Sequence, residues 1–283
     1  MDLKKILPKD GPKIIEVKKY VEKYSKDTIT VKLGGSILLD EELFDQFLND
    51  ISIIYKLGLN ISLIHGGGKL IGKKLKKNNI DSQFIDGLRV TDENSIKIVE
   101  EALNELNINI TKKLIEKECP AKSISIKYKT IKVNPISKEL GYVGSPKEVD
   151  HKIIEEVLKK KEIPVIVPLG IGDDQKTYNI NADSAAGAVA KSLKSRRLLL
   201  MTDVPGVIKD EKLITELNSK EAINMIQDGT IKEGFIPKIR TCLDALEDVT
   251  AVAIIDGRKK HSILFELFSD KGAGTLLRRN ERI

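Results

Sequence analysis

Cysteine, histidine and aromatic residues are scarce in this sequence, and each scarcity disfavours a class of site. The 283 residues include two cysteines, Cys119 and Cys242, and three histidines, and 4% of the residues are aromatic. Two cysteines are too few for a disulfide framework, and neither they nor the histidines have the spacing of metal ligands. No serine or cysteine stands in a nucleophile elbow. We therefore expect no disulfide scaffold, no protein-held metal centre and no nucleophilic serine or cysteine.

Long apolar runs are also missing. No run reaches the roughly 18–20 residues that a membrane span requires, and the N-terminal residues lack the apolar segment of a signal peptide. The sequence is 41% hydrophobic and 32% charged, which is typical of a globular protein with one large domain or two lobes and ample core. We therefore expect a cytoplasmic protein that does not act at a membrane.

The charge balance is basic, with 48 Lys and Arg residues against 42 Asp and Glu residues and a net charge of +6. A nucleic-acid-binding surface usually clusters arginine with aromatic side chains. Here aromatic residues are few and the lysines are scattered through helical segments. The pattern favours a solvated, lysine-rich surface, and we expect no nucleic-acid partner.

Two apolar segments each run into glycines. Residues 28–33 are a β-branched run followed by Gly34 and Gly35, and residues 60–65 are an apolar run followed by glycines 66–68. A helical pattern follows each turn, so a right-handed crossover makes the two strands parallel. Both turns then lie at the carboxyl edge of one sheet, where α/β proteins bind ligands. Either turn alone could be a plain connection, but the pair predicts a site where backbone N–H groups approach a phosphate.

Strand and helix patterns alternate along the chain, which predicts an α/β protein with a mainly parallel sheet and helices on both faces. Apolar spacing predicts an amphipathic helix over residues 14–24, which could pack on its own domain or serve a partner subunit. It also predicts helices over residues 215–228 and 258–268, with a loop-rich segment over 134–150. We divide the chain into an N-terminal helix (1–27) and two lobes (28–168 and 169–283).

Several polar residues follow predicted strands or begin predicted helices, where they could face the same edge of the sheet. Each could equally be a turn residue or a helix cap, since Asn and Asp favour those places. Lysines and glycine N–H groups without an obvious general base suit phosphoryl transfer, which depends on positioning and on cations around the transferred group. The residues are Lys32, Arg89, Asn179, Asn181, Asp183, Asp203 and Lys238.

Six short motifs occur in an order that resembles the amino acid kinase family. They are Lys-Leu-Gly-Gly-Ser (32–36), His-Gly-Gly-Gly (65–68), Gly-Leu-Arg-Val-Thr (87–91), Tyr-Asn-Ile-Asn-Ala-Asp (178–183), Thr-Asp-Val-Pro-Gly (202–206) and Gly-Phe-Ile-Pro-Lys (234–238). The third and fourth are similar to the members that phosphorylate N-acetyl-L-glutamate rather than aspartate, carbamate or UMP. The resemblance implies a three-layer αβα sandwich around a mainly parallel central sheet, with an N-terminal helix.

The resemblance also implies an activity and its residues. ATP would phosphorylate the γ-carboxylate of N-acetyl-L-glutamate in the second step of arginine biosynthesis, with Mg²⁺ held mainly by phosphates. Lys32 and Lys238 would stabilise the transferred phosphoryl group, and Asp183 would hold both lysines. The lobe of residues 28–168 would bind the acetylglutamate, and the lobe of residues 169–283 would bind ATP. The substrate-binding residues would be Gly67, Gly68, Arg89, Asn179 and Asn181. The nucleotide-binding residues would be Gly34, Gly35, Thr202 and Asp203.

Some family members are hexamers, trimers of dimers linked by an N-terminal helix, and are inhibited by arginine. The segment around Tyr20 is similar to that helix. Residues 261–266 with Lys271 and Gly272 resemble the inhibitor-binding region, where Glu266 would face the arginine guanidinium. The resemblance thus implies an arginine site at Tyr20, His261, Glu266 and Gly272, in a hexamer or a dimer.

One stretch departs from the family pattern. Residues 124–131 read Ile-Ser-Ile-Lys-Tyr-Lys-Thr-Ile where the family usually has a glycine-rich segment. The departure concerns that local loop and the packing on the substrate side. Two other functions stay open: a kinase for a related acid, such as a carrier-linked aminoadipate, and a non-catalytic sensor of nucleotide or arginine on the same fold.

Overall fold

The computed structural model describes residues 2–232 and 234–279 of the chain. In these residues the helices are α1 (Leu3–Ile6), α2 (Ile14–Tyr24), α3 (Glu41–Lys56), α4 (Gly68–Lys77), α5 (Glu93–Glu116), α6 (His151–Lys159), α7 (Ala182–Ser192), α8 (Ser219–Gln227), α9 (Ile236–Ala245) and α10 (Ser262–Phe268). The strands are β1 (Thr28–Leu33), β2 (Asn60–His65), β3 (Phe84–Ile85), β4 (Leu88–Arg89), β5 (Ala121–Ile124), β6 (Ile131–Pro135), β7 (Gly144–Val149), β8 (Ile163–Ile166), β9 (Leu169–Gly172), β10 (Thr177–Asn179), β11 (Arg197–Thr202), β12 (Ile208–Lys209), β13 (Lys212–Leu213), β14 (Glu216–Asn218), β15 (Ala251–Asp256) and β16 (Gly274–Arg278).

An eight-stranded sheet forms the centre of the molecule, in the order β14-β16-β15-β11-β1-β2-β8-β5. Strands β5, β8, β2, β1, β11 and β15 run parallel to one another, and β16 runs antiparallel to β15. β1 therefore pairs with β2 from the first half of the chain and with β11 from the second half. The two halves share one sheet.

Alternating side chains of the central strands fill two separate apolar layers. Ile29, Val31 and Leu33 of β1 pack in one core, with residues of α2, α3, α5 and α10. The opposite face of the sheet packs against α6, α7, α8 and α9, with Leu198 and Leu200 of β11 in that core. Because successive strand residues point to opposite faces, both cores are filled by the same strands. The result is a three-layer αβα sandwich, which confirms the predicted fold class.

Helix α2 packs on its own chain. Val17 and Tyr24 are buried, and α2 contacts α10. A second sheet, in the order β10-β9-β6-β7, lies beside the central one. Within the described ranges no helix is long and apolar enough to cross a membrane.

Three predicted segments differ from the structure. Residues 216–218 form β14, and the predicted helix begins only at Ser219 because Asn218 and Glu221 form a capping box there. The predicted helix over 258–268 begins at Ser262, since His261 has a φ of 56°, which interrupts a right-handed helix. Residues 144–149 of the predicted loop-rich segment form β7, which pairs with β6. A helix cap delays the first helix, the left-handed conformation of His261 delays the second, and strand pairing orders the third segment.

Candidate active site

A cleft of about 620 Å³ opens at the carboxyl ends of β1, β2 and β11. The glycine turns after β1 and β2 stand side by side there, because the two strands are neighbours in the sheet. The cleft therefore lies at the predicted edge of the sheet, and glycine backbone lines it as the paired glycine turns predict. Among the residues lining it are Lys32, Gly34, Gly35, Gly67, Gly68, Arg89, Asn179, Asn181, Thr202 and Asp203.

Asp183 lies between two lysines from opposite ends of the chain. Its Oδ1 is 3.0 Å from Lys32 Nζ, and its Oδ2 accepts a hydrogen bond from Lys238 Nζ. Lys32 is on the face of β1 that packs against α7, and Asp183 is in the first turn of α7. Lys238 is in the first turn of α9, which packs on α7. Two helix N-termini and one strand end thus converge on one carboxylate.

The charge state of Asp183 is fixed by its neighbours. Burial acts to raise the pKa of this carboxyl, but the ammonium groups of Lys32 and Lys238 outweigh burial and hold the pKa well below its usual value. The carboxylate stays ionised at neutral pH. The cluster therefore carries one negative and two positive charges, and the net positive charge favours an anion beside it.

The two glycine turns pack too closely for a larger residue at two positions. A Cβ on Gly34 would lie 2.7 Å from the carbonyl oxygen of Met201, and one on Gly67 would lie 2.5 Å from Leu103 Cδ2. A Cβ on Gly35 would meet nothing within 4 Å. Gly34 therefore lets the first turn close on the end of β11, and Gly67 lets the second turn rest on α5.

Arg89 is held with its guanidinium at the cleft. Its Nη2 donates to the carbonyl oxygen of Gly68 at 2.7 Å, and its Nη1 donates to Ser82 Oγ. The guanidinium carbon lies 4.7 Å from the centre of the Phe84 ring. The hairpin of β3 and β4 supplies both Phe84 and Arg89. Ser82 and Phe84 were not predicted as site residues, and only their closeness to Arg89 in the sequence could have indicated them.

Asn179 and Asn181 have separate structural partners. Asn181 is the N-cap of α7, and its Oδ1 accepts from the backbone N–H groups of Asp183 and Ser184. Asn179 donates from Nδ2 to Thr91 Oγ1 at 3.4 Å. Both side chains therefore have a capping or bridging role that fits the alternative left open by the sequence, and both still line the cleft.

Thr202 ends β11 and Asp203 follows it, on the side of the cleft that the second half of the chain forms. Thr202 Oγ1 donates to Asp203 Oδ1 at 3.4 Å. The neighbouring strand β15 ends at Asp256, whose carboxylate accepts two hydrogen bonds from the Arg258 guanidinium at 2.9 Å. Arg258 was not singled out in the sequence, and it adds a cation to this side of the sheet edge.

The four residues of the implied arginine site fall into two groups. Glu266 is buried and accepts hydrogen bonds from Arg197 Nη2 and from Ala273 N. Tyr20 donates to Asp270 Oδ1 at 2.8 Å, just beyond the same end of α10. A Cβ on Gly272 would lie 2.9 Å from Glu266 Oε2.

His261 stands at the opposite end of α10. Its Nδ1 is 2.6 Å from Asp50 Oδ1 of α3, and its Nε2 is 3.4 Å from Asp10 Oδ1. Arg197, the ion-pair partner of Glu266, was missed in the sequence because nothing local to β11 indicates a partner so far along the chain.

The atypical stretch over residues 124–131 packs locally. Ile124 ends β5, Ile126 is buried against α4 and α5, and residues 126–128 form a 3-10 turn. Lys129 follows the turn in the left-handed region, with a φ of 51°. The stretch thus fills the core beside α4 and α5 without glycine. Among residues 2–232 and 234–279, no three His, Cys, Asp or Glu side chains are grouped so that they could hold a metal ion.

Comparison of the sequence with known proteins identifies the family. The profile of the amino acid kinase family matches residues 27–256. The acetylglutamate kinase of Pelagibacter ubique is 51% identical over 280 residues, which cover 98% of this chain and 97% of that protein. The chain belongs to the amino acid kinase family, and within that family to the acetylglutamate kinases.

Solved structures agree on the fold. N-acetylglutamate synthase from Neisseria gonorrhoeae, complexed with coenzyme A and N-acetyl-glutamate, matches with a TM-score of 0.85 at 24% identity. The same synthase complexed with coenzyme A and L-arginine matches with a TM-score of 0.81 at 24% identity. The matches cover 95% and 94% of this chain but only 63% and 64% of the synthase chains, which are longer. At this identity the likeness concerns the fold alone.

Proposed function

We propose that this protein transfers the γ-phosphoryl group of ATP to the γ-carboxylate of N-acetyl-L-glutamate, giving N-acetyl-L-glutamyl 5-phosphate and ADP in arginine biosynthesis. The observation that carries the proposal is the partly buried Asp183 carboxylate between Lys32 and Lys238, beside two glycine turns at one sheet edge. Similarity to acetylglutamate kinases over nearly the whole chain supports the choice of substrate.

The chemistry requires positioning and positive charge. A carboxylate acceptor is already ionised at neutral pH, so it attacks the γ-phosphorus without a general base. The bond from that phosphorus to the bridging oxygen of ADP breaks as the new P–O bond forms, and ADP leaves with the electron pair. Negative charge on the transferred group is stabilised by the Lys32 and Lys238 ammonium groups. The Asp183 carboxylate offsets the repulsion between the two ammonium groups, and its hydrogen bonds orient the two lysine side chains.

The acceptor binds on the side of the cleft that Arg89, Asn179 and Asn181 line. Arg89 pairs with the α-carboxylate, for which a planar fork of donors is well suited. Its anchors, the carbonyl of Gly68 and the ring of Phe84, hold the guanidinium in one plane before the substrate arrives. The N–H groups of Gly67 and Gly68 stand at the N-terminus of α4, where a helix favours negative charge.

The nucleotide binds on the other side, in the lobe of residues 169–283. Gly34 and Gly35 reach its phosphates through backbone N–H groups, and Thr202 and Asp203 flank it. Mg²⁺ would be held mainly by the phosphates rather than by protein side chains, and it would offset the charge on their oxygens. The lobe of residues 28–168 supplies Gly67, Gly68 and Arg89 to the acetylglutamate, and Asn179 and Asn181 reach it from the other lobe.

The test is a hydroxamate assay, in which hydroxylamine traps the acyl phosphate. Purified protein with ATP, Mg²⁺ and N-acetyl-L-glutamate should form hydroxamate, and omission of any of the three should abolish it. A panel that adds glutamate, aspartate, carbamate and an N-acylated aminoadipate tests the acceptor. Formation of hydroxamate only from an aminoadipate derivative would support the related-acid kinase instead. Binding of ATP with no turnover of any acid would support a sensor.

We propose further that L-arginine regulates the protein through the surface between α2 and the end of α10. Glu266 and Arg197 form a buried ion pair there, and Tyr20 donates to Asp270 beside it. Tyr24 connects the two pairs, since its ring stacks on that of Tyr20 and its hydroxyl lies 3.5 Å from Arg197 Nη1. Arginine would exchange its own guanidinium for that of Arg197 at Glu266. Ile15 of α2 is 77% exposed, and this apolar side chain is suited to a contact with another subunit in a hexamer built from dimers.

Two measurements test this regulation. Arginine should inhibit hydroxamate formation in the wild type, and Glu266→Gln should weaken that inhibition. Light scattering should show Ile15→Glu reduced from a hexamer to dimers, whereas Lys18→Gln, an exposed change on the same helix, should leave the mass unaltered. A dimeric wild type that arginine does not inhibit would contradict both parts of the proposal.

A further inference from the structure

A buried histidine stands directly behind the second glycine turn, and the proposed reaction does not use it. His65 is the last residue of β2 and is 1% exposed. Its Nδ1 is 3.1 Å from the carbonyl oxygen of Gly66, the first glycine of the turn. Its Nε2 is 3.0 Å from Nδ2 of Asn107, a fully buried residue of α5. A polar pair of this kind is costly to bury unless its hydrogen bonds are satisfied.

The partners of Asn107 determine which nitrogen of His65 carries the proton. Ser123 Oγ donates to Asn107 Oδ1, so that oxygen is the acceptor of the amide. Asn107 Nδ2 is 3.0 Å from the carbonyl oxygen of Val165, which can only accept, and its other hydrogen faces His65 Nε2. Nε2 is therefore the lone-pair nitrogen. The proton of the neutral ring is on Nδ1, which donates to the Gly66 carbonyl.

The neutral state of this ring is consistent with its surroundings. Burial lowers the pKa of His65 to about 4, even though the contact with the Gly66 carbonyl acts in the opposite direction. At neutral pH the ring is a fixed donor at one nitrogen and a fixed acceptor at the other. It links α5 to the glycine turn without bringing a charge to the cleft.

The hydrogen bond from His65 controls the direction of a backbone N–H group. The described peptide bonds are all trans, so the Gly67 N–H points away from the Gly66 carbonyl to which it is joined. The carbonyl points to the buried ring, and the N–H therefore points toward the cleft that Gly66, Gly67 and Gly68 line. Glycine has no side chain to hold this plane, and it would otherwise turn easily.

We propose that His65, held as the Nδ1–H tautomer by Asn107, is a positioning residue that fixes the Gly66–Gly67 peptide plane so that the Gly67 N–H faces the acceptor. This rests on the proposed function for the identity of the acceptor, whereas the tautomer and the peptide plane are properties of the free protein. His65 touches no substrate, and it acts through the Gly66 carbonyl.

The free protein gives the first test. Ring ¹⁵N shifts at neutral pH should identify a neutral His65 with its proton on Nδ1, assigned by loss of the signals in His65→Phe. The Gly67 amide resonance should move in His65→Phe and stay near its wild-type position in His65→Asn, because the asparagine Nδ2 can replace the ring Nδ1 as donor to Gly66. A proton on Nε2, or a doubly protonated ring, would overturn the proposal whatever the substrate is.

Kinetics with both substrates give the second test. His65→Phe should raise KM for N-acetyl-L-glutamate by about tenfold, a factor typical of a lost hydrogen bond, and leave KM for ATP within about twofold. His65→Asn should keep KM for N-acetyl-L-glutamate within about threefold of the wild type. Both variants lose the contact with Asn107, so both should be less stable, and only the donor to Gly66 distinguishes them.

A matched control separates positioning from stability. Ser62→Ala removes a buried hydroxyl of the same strand that bonds Thr30, away from the glycine turn. It should lower the melting temperature without changing either KM. Equal KM changes in His65→Phe and His65→Asn, or KM values for both substrates that rise together, would mean that His65 supports the fold alone. A wild type that makes no hydroxamate contradicts the proposed function, and the ring and amide shifts still decide the role of His65.

Discussion

Asp183 determines how the two lysines of the cleft can act. A lone buried ammonium group would lose its proton or be expelled to solvent, since burial of an unpaired charge is costly. With one carboxylate between them, the Lys32 and Lys238 side chains each have an ion-pair partner at the end of β1. The arrangement provides positive charge in a fixed direction before the substrates bind.

Removal of either lysine should therefore slow the chemical step. Lys32→Ala and Lys238→Ala should each lower kcat by roughly two decades or more, as for loss of a charge contact made in the transition state. Steady-state hydroxamate kinetics measure the effect. Lys191→Ala removes a lysine that pairs with Asp244 and Glu247 outside the cleft, and it serves as the control with normal kcat. A kcat near the wild-type value in Lys238→Ala would refute the role given to that lysine.

The buried ring of His65 should also make stability depend on pH. Its folded pKa of about 4 lies below the value of 6.5 in the unfolded chain, so the unfolded state binds more protons between these values. Stability is then fully present above the unfolded pKa and falls as the pH drops toward the folded pKa. Relative to His65→Asn, the wild type should lose about 2 kcal/mol of unfolding free energy between about pH 7 and about pH 5.

Urea denaturation of both proteins at the two pH values gives this difference. The comparison cancels the contributions of other titrating groups, among them Asp50, whose pKa burial raises to about 6. A gap between the two proteins that does not change with pH would mean that folding leaves the pKa of His65 at its unfolded value, which would contradict a ring kept neutral by burial.

Residue patterns predicted which residues line the cleft better than they predicted the buried hydrogen bonds and ion pairs behind it. Lys32 lies near the carboxyl end of β1, and Asp183 and Lys238 lie in the first turns of α7 and α9, so their meeting at one edge follows from the parallel sheet. The bond between His65 and Asn107 and the ion pair between Arg197 and Glu266 join elements far apart in the sequence. Such pairings depend on how the helices pack against the sheet, and a local sequence pattern contains no information about that packing.

The turn after β1 is the element that joins both sides of the cleft. Gly34 lies against the backbone of β11, while Gly35 faces open space. Packing therefore requires a glycine at position 34, whereas at position 35 it leaves room for a side chain. Sequence alone gave both glycines the same role.

This difference predicts unequal effects of two adjacent substitutions. Gly34→Ala places a methyl group against the Met201 carbonyl oxygen and should lower the free energy of unfolding by about 1–3 kcal/mol, as for other overpacked sites. Gly35→Ala should change it by less than about 0.5 kcal/mol. Chemical denaturation of both variants without ligands is the measurement. Similar losses in the two variants would contradict the packing role of Gly34.

The sequence predicted some helix boundaries well and others poorly. Apolar spacing placed α2 at its observed bounds, Ile14–Tyr24, and indicated a helix after each glycine turn, where α3 and α4 lie, because each of these helices has one buried face. It placed the start of α8 too early, since β14 is short and owes its form to pairing with β16. Short edge strands have little apolar pattern of their own.

At the scale of the whole molecule, one sheet carries both sides of the cleft, so the described residues should unfold together. Saturating N-acetyl-L-glutamate with a non-hydrolysable ATP analogue, each at about 100 times its Kd, adds about 2.7 kcal/mol per ligand to the folded state. For a chain of this size the melting temperature should rise by at least about 5 °C. Calorimetry should give a single transition that shifts as a whole. Two transitions, of which one ignores the ligands, would show that the two sides unfold separately.

The neighbours of β1 have a consequence for how the protein is made. Thr30 of β1 contacts Ser195, which lies 165 residues later in the chain. At the usual rate of translation the second partner strand emerges roughly ten to thirty seconds after the first one. During that interval β1 can pair with β2 on one side, while its other edge is exposed and open to pairing with another chain. Efficient synthesis therefore requires that this edge be shielded until β11 has left the ribosome.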